Sequence, residues 1–133
     1  MKLIVCLGDS LGMAFNRRRQ SRDRVVTADI AEMTKGKKLF IDAYSEKLVC
    51  ESGIEYEIAE RNNIGDNYLF LETRSPSEYI ADAESIVIYR WNRRYPADLF
   101  FDADLEKEGF KLESSEDIVG FSHEKITKEI YVK

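Results

Sequence analysis

Apolar positions in this chain come as short continuous runs, separated by stretches in which they recur every three or four residues. KLIVCL (2–7) is unbroken up to Gly8, which predicts a central buried strand followed by a loop. Val25, Val26, Ile30 and Met33 then recur at helical spacing until KGKK, predicting a helix with Ser21 as its N-cap. KLFI (38–41) predicts a second strand, and DAYSEKLVC (42–50) a helix opened by a capping Asp42. GIEYEI alternates Ile54, Tyr56 and Ile58 with glutamates, as a half-exposed strand does. AERNNIGD predicts a turn or short helix, NYLFLE a fourth strand, SPSEYIADA a helix with Pro76 in its first turn, and SIVIYRW (85–91) a strand of high β propensity. ADLFFDAD, GFKLESSEDIVG and HEKITKEIYVK predict antiparallel strands at the C-terminal end, the last two separated by a turn at Gly120.

Strands alternating with helices and then a hairpin predict an α/β fold: one three-layer domain over 1–133, with a mixed sheet that is mostly parallel and has an antiparallel C-terminal edge. A length of 133 residues suits one core, and no repeat, low-complexity tract or linker interrupts it. No run approaches the roughly 18 apolar residues of a membrane helix. MKLIVCLGDS falls short of the apolar region of a signal peptide. The expectation is a cytoplasmic protein making no use of a membrane, with Cys6 and Cys50 reduced and at or near the core.

Charge changes the picture. Residues 17–24 hold five arginines and one aspartate, residues 90–94 hold three arginines, and the rest of the chain nets −12 against a total of −5. Eight of the ten arginines sit in those two stretches and no lysine does. The planar guanidinium binds carboxylate or phosphate at two points where an ammonium does not, so this segregation predicts an anion site. Both stretches follow strand C-termini, where open α/β sheets bind ligands. Arg17, Arg18, Arg19 and Arg22 after the first strand and Arg90 and Arg93 after SIVIYRW are the candidate anion ligands, with Trp91, Asn92 and Tyr95 placed to meet a planar ring. The competing reading pairs the arginines with the chain's own carboxylates. One histidine and two separated cysteines offer no metal-ligand spacing.

LGDSLG places Ser10 just past the first strand and is similar to the first block of the GDSL-type serine hydrolases. That likeness implies Ser10 as nucleophile and His123 as its base. The Asp expected three residues before the His is Gly120, the nearest upstream acid is Asp117, and IGDN (64–67) has the wrong order for that family's Gly-x-Asn-Asp block. A turn is the competing reading of Gly8 to Gly12.

A second likeness runs the length of the chain. Gly12–Met13 follow the first strand, Asp23 stands eleven residues after Gly12 at a helix start, and LFIDAYSEKL puts Ser45 near the next helix start. EYIADAESIVIYR, PADLFFD with Asp98, and SHEKITKEIYVK follow in order. In this arrangement the chain resembles a shortened dihydrofolate reductase. The resemblance implies that fold, with Asp23 as the acid of the pterin pocket, Ser45 beside the cofactor pyrophosphate at a helix N-terminus, and Asp98 at a matching family position. Two parts of the pattern are missing: Asp42–Ala43 replace Gly-Arg, and ETRSPSEY replaces the paired glycines, bringing Glu72 to where a phosphate would arrive. The resemblance therefore implies the scaffold and speaks against NADPH held in the family's manner, leaving the cofactor unassigned.

The expectation is a protein that binds a small anionic, nucleotide-like molecule in an arginine-lined cleft, with catalysis left open. If chemistry occurs, Asp23 is the candidate for proton transfer and His123 the second acid–base group. Three alternatives stand beside it: an NADPH-dependent reductase, an RNA-binding or RNA-processing protein, and a GDSL-type esterase.

Overall fold

The computed structural model describes residues 1–60 and 63–133. Arg61 and Asn62, within the turn or short helix expected at AERNNIGD, lie outside the described residues.

The unbroken apolar run forms β1 (Lys2–Leu7), with Leu3, Val5 and Leu7 packed in one apolar cluster and Ile4 in a second. A strand covered on both faces reads as continuous rather than alternating. After the short strands β2 (Gly12–Phe15) and β3 (Arg18–Arg19) come helix α1 (Arg24–Met33), β4 (Leu39–Ile41), a 3-10 turn (Ala43–Ser45) and helix α2 (Glu46–Glu51). Then follow β5 (Tyr56–Ile58), β6 (Tyr68–Phe70), β7 (Ser85–Arg90), β8 (Leu99–Phe100), β9 (Lys111–Ile118) and β10 (Ile126–Val132).

Seven strands make one sheet in the order β5-β4-β6-β1-β7-β10-β9. Neighbours from β5 to β7 are parallel, whereas β10 runs antiparallel to both β7 and β9. This is the expected mixed sheet with an antiparallel C-terminal edge. Val26 and Ile30 of α1 and Leu48 and Val49 of α2 cover the face carrying Ile4, Ile41, Phe70, Val87 and Tyr89. Met13, Ile80, Phe101 and Phe110 cover the other face.

Four local readings are corrected. SPSEYIADA forms two 3-10 turns, Pro76–Glu78 and Ile80–Asp82, instead of one α-helix. So short a segment scarcely repays helix nucleation, and the Ser75 hydroxyl both caps the first turn at Ser77 N and bonds Asp102. ADLFFDAD contributes only β8, which pairs with β2 in a separate three-stranded sheet, β3-β2-β8. Asp42 precedes a 3-10 turn without a side-chain cap, because its carboxylate faces Arg74 at 3.2 Å. Cys50 is exposed on α2 beside the buried Leu48 and Val49, while Cys6 is half-buried, and neither is in a disulfide.

The arginine-rich stretch is a hairpin rather than a loop. Ala14 pairs with Arg19 and Phe15 with Arg18, and the two connecting residues, Asn16 and Arg17, have φ of 52° and 62°. Two successive positive φ values give the turn whose twist suits a tight β-hairpin. Asp98 Oδ2 accepts from Asn16 N at 3.0 Å and its own N–H reaches Ala14 O, so this candidate ligand-binding residue anchors the hairpin.

Candidate functional site

Beyond the carboxyl ends of β1 and β7, Trp91 N donates to Leu7 O and Asp9 N to Arg93 O, and residues 121–123 bond Asp23. Asp23 sits at the first turn of α1, with φ −149° and ψ 130°, and caps the helix by accepting from Val25 N at 2.9 Å. The helix starts at Arg24, so Ser21, the expected cap, lies too far upstream to serve the first turn. The Asp23 carboxylate also accepts from Phe121 N (3.0 Å), Ser122 N (2.8 Å), Ser122 Oγ (3.1 Å) and His123 Nδ1 (2.9 Å). Burial alone would raise its pKa. The hydrogen bonds from His123, Phe121, Ser122 and Val25 outweigh burial and hold the carboxyl well below the usual carboxylate range. Both carboxylate oxygens of Asp23, the candidate for proton transfer, are thus committed to hydrogen bonds.

His123 is buried and held on every side. Its ring stacks on Trp91 with centroids 4.6 Å apart and planes 22° from parallel. Nε2 lies 3.1 Å from Ser21 Oγ and 3.0 Å from the Tyr95 hydroxyl. Asn92, at φ 57°, donates to Lys125 O and Thr127 Oγ1 and so ties the turn after β7 to the start of β10. Trp91, Tyr95 and His123 are thus brought together, while Asn92 shapes the backbone that presents them.

The candidate arginines are distributed rather than gathered around one cleft. Arg19 grips the buried Glu72 at two points, Nε to Oε2 at 2.7 Å and Nη2 to Oε1 at 2.9 Å, and its guanidinium lies over the Tyr44 ring. Ser45, expected beside a pyrophosphate, donates to the same Glu72 at 2.7 Å. Arg90 pairs with Glu129 at 2.5 Å; by strand alternation it shares the face of Ile86 and Ile88, away from α1. Arg17 and Arg18 are exposed on the hairpin. Arg93 Nη2 donates to Ser122 O at 3.1 Å, and Arg22 meets Glu51 at 3.4 Å. Arg22 and Arg24 of the first cluster and Arg93 of the second therefore approach the same turn, residues 120–123. The single arginine-lined cleft gives way to separate contacts: Arg19, Arg22 and Arg90 take carboxylates from the −12 remainder of the chain, Arg93 takes a backbone carbonyl, and Arg17 and Arg18 stay exposed.

A groove of about 610 Å³ opens at the start of α1, lined by Arg22, Arg24, Thr27, Ser52, Phe121 and Ser122 among others. Arg24 lies 4.0 Å above the ring of Phe121, which is 66% exposed. Sequence reasoning passed over Ser21, Arg24, Glu51 and Phe121 as site residues. The crowding of arginines and the aspartate at the start of α1, Asp23, marked this region.

Ser10 belongs to a tight turn in which Gly8 N bonds Gly12 O and Leu11 N bonds Gly8 O, both at 3.0 Å. It is exposed, and His123 bonds Ser21, Tyr95, Asp23 and Ser122 but not Ser10. The GDSL likeness is therefore that of a turn sequence. Among the described residues no three His, Cys, Asp or Glu side chains group as a metal site requires, and no helix is long and apolar enough to cross a membrane.

No family model and no curated protein sequence matches the chain. Among solved structures it is similar to a dihydrofolate reductase from Enterococcus faecalis complexed with NADP(H) and RAB-propyl, with a TM-score of 0.70 and 11% identity over 98% of this chain and 94% of that one. The residues here do not fit NADP(H) phosphates after β6: the buried Glu72 stands there, and the Arg19 guanidinium and Ser45 hydroxyl that could meet a phosphate are taken up by its carboxylate. The likeness nevertheless extends over nearly the whole chain, and the fold of this protein is dihydrofolate-reductase-like.

Proposed function

We propose that the protein binds a small anionic, nucleotide-like molecule in the groove at the start of α1. The observation that carries this reading is the Arg24 guanidinium stacked 4.0 Å from the exposed Phe121 ring, beside an Arg22 that meets Glu51 at 3.4 Å. An aromatic face next to two cations suits a planar base bearing a phosphate. Asp23, which also lines the groove, offers little repulsion because five donors already bind its oxygens. The N-terminus of the ten-residue α1 adds its positive dipole end. Isothermal titration with adenosine and guanosine mono- and diphosphates should give saturable, salt-sensitive binding. Arg22→Ala with Arg24→Ala should weaken it at least about tenfold, or about 1.4 kcal/mol. Saturable binding of none of these nucleotides at millimolar concentration would reject the reading, and NADPH is expected to give no saturable signal in the same assay.

A second reading, single-stranded RNA binding, is favoured by the hairpin. Phe15 (50% exposed) stands beside Arg17 and Arg18, and Phe100 is exposed on the adjacent β8. Aromatic platforms flanked by arginine stack unpaired bases. Fluorescence anisotropy with a labelled single-stranded RNA at 150 mM salt decides it: binding weakened by Phe15→Ala supports the reading, and absence of binding ends it.

A further inference from the structure

His123 holds a hydroxyl and a carboxylate on its opposite ring nitrogens, with Ser21 Oγ 3.1 Å from Nε2 and Asp23 Oδ2 2.9 Å from Nδ1. A carboxylate only accepts, so the neutral imidazole carries its proton on Nδ1 and turns the Nε2 lone pair toward Ser21. His123 and Asp23 are each 3% exposed, whereas Ser21 is partly exposed. Stacking on Trp91 fixes the ring plane, and backbone N–H groups of Val25, Phe121 and Ser122 fix the carboxylate. A hydroxyl, a buried imidazole and an orienting carboxylate in this sequence of contacts form the arrangement that activates a serine, and it is recognised by geometry whatever the fold or chain order.

The geometry points to Ser21 as the nucleophile of a site that hydrolyses small carboxylic esters, with His123 as general base, Asp23 as its positioning residue and Tyr95 as oxyanion donor. Ser21 Oγ attacks the ester carbonyl carbon as its proton passes to Nε2, and the carbonyl electron pair moves onto oxygen. The Tyr95 hydroxyl shares Nε2 with Ser21 at 3.0 Å. Once Nε2 is protonated it has no lone pair left to accept from Tyr95, whose O–H is then free to donate to the oxyanion. Collapse of the tetrahedral intermediate breaks the bond to the alcohol oxygen, which takes the proton from Nε2, and leaves Ser21 acylated. Water, deprotonated by the same nitrogen, repeats the sequence, so ester and water become acid and alcohol with Ser21 restored. This activity does not depend on nucleotide binding.

The test is labelling of the folded full-length protein with a fluorophosphonate, with peptide mass mapping of the adduct, alongside hydrolysis of p-nitrophenyl acetate. The expected adduct lies on Ser21, and p-nitrophenyl acetate should be hydrolysed in turnover. Ser21→Ala should remove both signals, His123→Gln should lower both at least about 100-fold, and Tyr95→Phe should slow hydrolysis by about 10- to 100-fold. Absence of an adduct, an adduct at another residue, or unchanged hydrolysis by Ser21→Ala would overturn the inference. Circular dichroism checks the variants; should His123→Gln fail to fold, the wild-type adduct map still decides.

Discussion

Gly120 lies directly against Asp23. A Cβ built at position 120 would stand 2.9 Å from Asp23 Oδ2 and 2.5 Å from the carbonyl oxygen of His123. The turn that delivers Phe121, Ser122 and His123 to the carboxylate therefore closes only over a residue with no side chain.

Gly120→Ala is expected to push this turn off Asp23 and destabilise the protein by about 1–3 kcal/mol, the range for overpacking a close contact. The backbone carbonyl of His123 is part of the clash, so rotating one side chain cannot relieve it. Urea denaturation measures the effect, and a midpoint equal to that of the unaltered protein would contradict it.

Stability should depend on pH through Asp23. Its carboxyl is held below the ordinary range in the folded state despite burial, so its contribution is complete above the unfolded value of about 3.9 and is lost as pH falls from there toward the lower folded value. Asp23→Asn should cost about 2–3 kcal/mol at pH 7, since bonds to a charged acceptor are lost. The variant should also lose less stability than the parent between pH 4 and pH 2. Urea melts across this range test the sign, and parallel curves for the two proteins would refute it.

Arg19 and Glu72 should behave as a coupled unit. Glu72→Gln leaves a partly buried guanidinium with a weakened partner and is expected to cost about 2–3 kcal/mol. In the double variant Arg19→Met, Glu72→Gln no charge is stranded, so its loss should fall below the sum of the single losses by at least about 1 kcal/mol. Additive losses in a denaturation cycle would show that the pair is not energetically linked.

Much of the architecture was legible because local periodicity encodes it. The unbroken runs of β1 and β7 and the helical spacing of Val26 and Ile30 report burial, and burial reports layer order. The order of scattered positions such as Gly12, Asp23 and Asp98 carried the dihydrofolate-reductase likeness, which the overlay with a solved structure bears out at the level of fold. Asp23 and His123 could each be singled out as unusual residues, although nothing local showed that they meet.

The pairings that define the site belong to the tertiary structure. Ser21 and His123 are 102 residues apart and Arg19 and Glu72 are 53 apart, so each contact exists only after the sheet has assembled and brought the ends of β1, β6 and β7 together. Charge composition marked the arginines as notable, but a guanidinium binds an internal carboxylate as readily as an external phosphate. Which partner Arg19 and Arg90 take was decided by the positions of Glu72 at the end of β6 and Glu129 on β10. The sequence alone determined where β1, α1, β4, β6 and β7 fall along the chain and that the sheet has a parallel centre and an antiparallel C-terminal edge, because periodicity is a local property. The fold decided which side chains face one another, because that depends on chain closure over tens of residues.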